Sequence, residues 1–79
     1  MTNIVADMTL DCSGQICPIP ILKMAKAVQH IEKGQVLKMI ATDAGAPADV
    51  EAWTRQTKHE LAASEVDGNR YIFFVRRTK

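Results

Sequence analysis

The hydrophobic period of this chain changes from two to about 3.6 across one short stretch, Cys17-Pro18-Ile19-Pro20. Before it, Met8, Leu10 and Cys12 alternate with Thr9 and Asp11, the pattern of a half-buried strand. Ser13-Gly14-Gln15 then breaks the strand. After the prolines, Ile21, Met24, Ala25, Val28 and Ile31 fall along one helical face, with Leu22 flanking it. Lys23, Lys26, Gln29 and His30 fall mainly on the other face. Gly34 follows the last turn, where a left-handed residue commonly ends a helix. Residues 35–42 read as a second strand. A strand, helix and strand in this order imply a right-handed crossover and two parallel strands.

The rest of the chain continues the pattern. Residues 43–47 form a loop, with Pro47 suited to the first helical position. Val50, Trp53, Thr57 and Leu61 make a second apolar stripe at helical steps. Residues 62–67 fit a short third strand, Asp67-Gly68-Asn69 a hairpin turn, and residues 70–77 a last strand. The order β-α-β-α-β-β predicts an α+β fold: a two-layer sandwich of a four-stranded mixed sheet with both helices on one face. On the other face, Val36, Ile40, Ile72 and Phe74 share a side with Lys38, Arg70 and Arg76. We expect the four apolar residues there either to be scattered or to form an open patch, and a contiguous patch favours a partner or a homodimer.

At 79 residues the chain makes a single domain spanning 1–79, with a flexible segment expected at 1–6. Two cysteines are too few for a disulfide framework, which points to a reducing compartment, the cytoplasm. The first residues lack the basic run and apolar segment of a secretory leader, and no apolar stretch is long enough to span a bilayer. Neither a membrane nor a directly bound nucleic acid is expected as partner, the formal charge being only +1. That charge is uneven. Arg70, Arg76, Arg77 and Lys79 crowd an acid-free end, and Lys23, Lys26 and Lys33 add to the basic side. This is either an ordinary solvated surface or a docking face for an anionic partner.

Cys17 sits where the first strand gives way to the first helix. Pro18 and Pro20 each push the preceding residue away from helical geometry, so the helix starts at one or the other. Either start puts the sulfur near the positive end of the helix, which stabilises a thiolate. The prolines remove two donors, leaving the amides of residues such as Ile19, Ile21 and Leu22 to act on it. Such a thiolate can attack a disulfide or carry sulfane sulfur as a persulfide. The competing reading is a small buried apolar cysteine. Cys12 is either a core residue on the side of Met8 and Leu10 or a resolving thiol for Cys17, which requires Cα atoms within about 7 Å. Their spacing is not Cys-x-x-Cys. His30 and His59 fall on different helices with no close Cys/His pair, so no metal site is expected.

The stretch LDCSGQICPIPILKMAKAV resembles the opening signature of the TusA/SirA-like sulfur-carrier family, through Leu10, Asp11, Gly14, Cys17, Pro18 and Pro20. The likeness extends over GQVLKMIATDAGAPADVEAW and HELAASEVDGNRYIFFVRR. It implies the same sandwich, with Cys17 carrying sulfur as a covalent persulfide and no other cofactor. It also implies a sulfur-donor protein, a cysteine desulfurase or rhodanese-like, and a sulfur-acceptor protein. The acceptor would serve tRNA thiolation, cofactor assembly or dissimilatory sulfur metabolism. Many members have Asp-Pro after the second strand, where this chain has Asp43-Ala44-Gly45. Lys23, Lys26, Asp43, Arg76 and Arg77 are the candidates for partner docking. Two other functions compete: a thiol-disulfide redox protein using Cys12 and Cys17, and a non-catalytic regulatory module acting through the second sheet face and the basic end.

Overall fold

Strands β1 (Met8–Cys12) and β2 (Val36–Ala41) pair in parallel, with Met8 opposite Leu37 and Cys12 opposite Ala41. The computed structural model describes residues 5–16 and 19–79; the expectation for residues 1–6 falls largely outside them. Between the two strands runs helix α1, Ile19–Ala27, continued by a tighter 3-10 turn at Val28–His30. Helix α2 spans Ala46–Thr57, and the chain closes with strands β3, Glu60–Asp67, and β4, Arg70–Arg76. The sheet order is β1-β2-β4-β3, with β4 antiparallel to both neighbours. Gly68 takes φ 63 in the two-residue turn between β3 and β4, a conformation that favours glycine.

Both helices cover one face, as the sequence predicts. Met24, Ala27, Val28 and Ile31 from the first crossover, with Ala46 and Val50 from the second, pack with Cys12, Leu37, Met39, Ala41, Phe73 and Val75 of the sheet. Met24, Leu37, Met39, Val50 and Val75 are fully buried. Each such side chain contributes roughly 1.5–3 kcal/mol of hydrophobic stabilisation, which a small domain needs.

Several details differ from the sequence reading. The first helix does not run to Ile31: Ile31 is already extended at φ −107° and ψ 161°. Gly34 therefore does not cap the helix. It sits at φ 88 in the following turn, and its N–H donates to the Arg77 carbonyl at 2.7 Å. Leu61 belongs to β3 rather than α2, because the helix stops at Lys58, which adopts φ 65. His59 accordingly lies in the α2–β3 connection. A further difference concerns the second sheet face. Val36, Ile40, Ile72 and Phe74 are contiguous, and Ala62 and Ala63 pack against them. They are not open, however, being only 5%, 7%, 8% and 6% exposed. The Lys38 ammonium lies over the Phe74 ring, 5.8 Å from its centroid, and the Arg76–Glu60 ion pair occupies the row that holds Val36. Long polar side chains thus lie along the apolar strip with their charged ends outward. The homodimer that an open patch would favour therefore finds these four residues covered.

A register shift between Leu61 and Ala63 changes which residues of β3 meet which face. Leu61 pairs with Val75 on the helix-covered face, and Ala63 pairs with Phe74 on the other. The extra residue of a bulge resets the alternation, so Ala63, two residues after Leu61, meets the opposite cluster.

Candidate functional site

The loop from β1 to α1 carries Cys17. Cys17 and Pro18 lie outside the described residues, so the expectations that rest on their placement, including a close approach of Cys12 and Cys17, lie there too. What holds the loop on either side is described. Asp11 Oδ1 accepts the Ser13 N–H at 2.9 Å, and Cys12 carbonyl accepts the Gln15 N–H at 3.2 Å. Hydrogen bonds from Ser13, side chain first and backbone second, hold the Asp11 carboxyl below its usual range, with the charge of Arg70 a smaller influence. Gly14 adopts φ 80, and its N–H donates to Thr42 Oγ1 at 2.8 Å. Thr42 immediately follows Ala41, the residue opposite Cys12 in the parallel ladder. The loop is therefore tied back to the end of the neighbouring strand three residues before Cys17.

On the far side, α1 begins at Ile19 with Pro20 in its first turn, where a missing N–H does no harm. Pro20 is buried. The Ile19 N–H donates to the Ile16 carbonyl at 2.9 Å. That N–H, one of those the sequence reading offers to the sulfur, therefore already has a carbonyl partner. Ile16, Ile19 and Leu22, apolar residues before and after Cys17 in the sequence, are 68%, 40% and 59% exposed. Lys23 and Lys26 are exposed on α1, and no Asp or Glu occurs from residue 12 through 31.

Cys12 is fully buried in the main core. Burial pushes its thiol pKa up, against a smaller lowering by Lys23. A buried cysteine in an apolar setting is chemically quiet. Asp43 lies just past Thr42, and its carbonyl accepts the Ala46 N–H at 3.0 Å at the start of α2. It shares an end of the sheet with the Cys17 loop. Arg76 and Arg77 do not. Arg76 is opposite Val36, at the other end of β2 from Ala41, roughly 17 Å away at a strand's rise per residue. There Arg76 pairs with Glu60, while Arg77 donates to the carbonyls of Gln29 and Ile31 and through Nε to that of Lys79 at 2.6 Å. The same end holds a cavity of about 240 Å³ bordered by Val28, Trp53, His59, Arg77 and Lys79. Among the described residues no group of three or more His, Cys, Asp or Glu is arranged to hold a metal ion. The sequence reading missed Ile16 and Thr42. Ile16 was visible as an apolar residue in a polar loop; Thr42 carried no such signal.

The chain is similar to known proteins. Residues 8–77 match the model of the family described as sulfurtransferase TusA. The chain is 54% identical over 61 residues to the protein NMA0882 of Neisseria meningitidis serogroup A, covering 76% of this chain and 82% of that one. It is 40% identical over 72 residues to the sulfur carrier protein TusA of Allochromatium vinosum, covering 91% and 95%. Against YrkF of Bacillus subtilis it is also 40% identical over 72 residues, but it spans only 39% of that protein's length. A SirA-like protein from Desulfitobacterium hafniense, known from its crystal structure, superimposes with a TM-score of 0.78 at 20% identity, over 91% of this chain and 99% of that one, a likeness of fold. With the family pattern spanning β1 to the end of β4, the chain belongs to the TusA sulfurtransferase family.

Proposed function

We propose that this protein is a sulfur carrier in which Cys17 takes up sulfane sulfur as a persulfide and hands it to an acceptor protein. The observation that carries the reading is Cys17-Pro18-Ile19-Pro20 on the β1–α1 connection, with α1 starting at Ile19, in a chain of the TusA family. A thiolate at the amino end of a helix is favoured by the helix field. Loading needs no outside oxidant. The Cys17 thiolate attacks the terminal sulfur of a donor persulfide, a new S–S bond forms as the donor's S–S bond breaks, and the donor leaves as a thiolate. Delivery repeats the exchange, with an acceptor thiolate attacking the terminal sulfur on Cys17. The acceptor belongs to tRNA thiolation, cofactor assembly or dissimilatory sulfur metabolism.

A carrier must meet two proteins in turn. Ile16, Ile19 and Leu22 supply an apolar border, and Lys23 and Lys26 supply positive charge beside it. The burial of Cys12 speaks for a one-cysteine carrier over a dithiol redox protein. No described helix is long and apolar enough to cross a membrane, and a free reactive thiol suits the reducing cytoplasm.

The test is intact-mass measurement after incubation with a cysteine desulfurase and cysteine, or with a rhodanese and thiosulfate. The expected gain is one or more sulfur atoms, removed by reductant, lost in Cys17→Ser and kept in Cys12→Ala. Sulfur retained on Cys17→Ser would overturn the assignment. Loss of uptake in a folded Cys12→Ala would favour the redox reading.

A further inference from the structure

We propose that the Thr42 hydroxyl is a positioning group for Cys17, because it anchors the Gly14 amide at the turn that launches the Cys17 loop. The argument starts from the ladder. β1 and β2 run in parallel until Cys12 and Ala41, the last pair of their ladder. The first tie past the ladder between the two chains is Gly14 N–H to Thr42 Oγ1, at 2.8 Å and across 28 residues. Two local bonds, Ser13 N–H to Asp11 Oδ1 and Gln15 N–H to the Cys12 carbonyl, shape the turn but only refer it to its own strand. The Thr42 bond refers it to the next one.

Gly14 is suited to this by conformation rather than by space. It sits at φ 80, yet a Cβ built there would meet nothing within 4 Å. Its left-handed turn aims the N–H at Thr42, a geometry that other residues adopt only under strain. From Gly14 the chain has three residues to reach Cys17, and at Ile19 it is fixed again by the bond to Ile16 and by the start of α1. Apart from the Thr42 anchor, the backbone bonds described on the amino-terminal side of the segment are those of its own turn. A reactive group carried on so short a span is sensitive to displacement of its supports. Thr42 also adjoins Asp43, whose carbonyl starts α2, so one residue ties the Cys17 loop to the β2–α2 loop.

This inference rests on the reading of Cys17 as the working thiol, and the test separates the two. Alkylation of Cys17 is followed against pH by peptide mass in the wild type, Thr42→Val and Thr42→Ser; it reports the thiol's setting whether or not sulfur is carried. Thr42→Val should slow alkylation at neutral pH roughly three- to tenfold, the thiolate lost for a pKa rise of about half to one unit. Its pH profile should move upward. Thr42→Ser, which keeps the hydroxyl, should restore both the rate and the profile. Hydrogen exchange at the Gly14 amide should be slow in the wild type and Thr42→Ser and faster in Thr42→Val. An unchanged profile in folded Thr42→Val, or Thr42→Ser behaving like Thr42→Val, would overturn the proposal. If Thr42→Val does not fold, the wild type still decides: a Gly14 amide that exchanges at the rate of an unprotected glycine removes the anchor. Failure of wild-type sulfur uptake would instead count against the carrier reading.

Discussion

The backbone N–H of Thr78 donates to Nδ1 of His59 at 3.2 Å. The bond requires an unprotonated Nδ1, so it holds the ring neutral with its proton on Nε2. His59 lies against Trp53, ring centroids 5.5 Å apart and planes tilted by 40°. Burial pulls the His59 pKa below the ordinary 6.5, and the positive charges of Arg77 and Lys79 pull it further.

The pH dependence follows with a definite sign. Between the lowered native pKa and 6.5 the unfolded chain binds the proton more readily than the native one. Stability therefore falls as pH drops through that window, and is unaffected by this group above it. Trp53 is the single tryptophan, so its fluorescence reports the neighbouring ring directly. The quenching midpoint on acidification should lie below 6.5, and His59→Gln should abolish the step. A midpoint at or above 6.5 would show that burial, with Arg77 and Lys79, does not lower the ring's pKa as described.

Lys58 offers a stabilising substitution. It ends α2 at φ 65, a left-handed conformation that carries a penalty of roughly 1 kcal/mol for a residue with a Cβ. Its carbonyl, which accepts the Thr78 hydroxyl at 2.6 Å, is kept in any substitution. Lys58→Gly should stabilise the domain by about 0.5–1 kcal/mol and raise Tm by about 2–8 °C for a chain of this size. A lowered Tm in thermal unfolding would mean that the lysine side chain contributes more than its backbone strain removes.

Lys58 also explains where sequence reading misplaced the boundary between α2 and β3. Leu61 continues the helical spacing of Val50, Trp53 and Thr57, so periodicity alone carries α2 too far. The helix stops because of a backbone conformation that lysine does not advertise, and Leu61 reaches the same core from a strand instead. The bulge beside Ala62 then disguises β3, since strict alternation cannot place Leu61 and Val66 on one face. β1, β2, β4 and both helix faces were legible because each buries one continuous side. At the site, Cys17-Pro18-Ile19-Pro20 is local and could be read. The Gly14–Thr42 bond joins residues 28 apart and leaves no periodic trace. Arg76 and Arg77 looked like a docking end because their partners, Glu60 and the carbonyls of Gln29 and Ile31, come from distant segments.

The uneven charge around the Cys17 loop leads to a prediction about association. Lys23 and Lys26 are exposed on α1, with no acidic residue in the surrounding stretch from 12 through 31, while Arg76 and Arg77 are occupied at the opposite end. A donor with carboxylates around its own sulfur site would be steered toward α1, and steering of this kind appears in the association rate and fades with salt. Lys23→Glu with Lys26→Glu should slow sulfur loading from a cysteine desulfurase by on the order of tenfold at low ionic strength, and most of the difference should vanish at high salt. Leu22→Asp should instead weaken loading at every salt concentration, because it places a charge in the apolar border of the contact. The pair Arg76→Glu and Arg77→Glu separates this map from the basic-end alternative. With folded protein confirmed by circular dichroism, loading kinetics that respond to the arginines and ignore the lysines would move the docking face to the far end of the sheet.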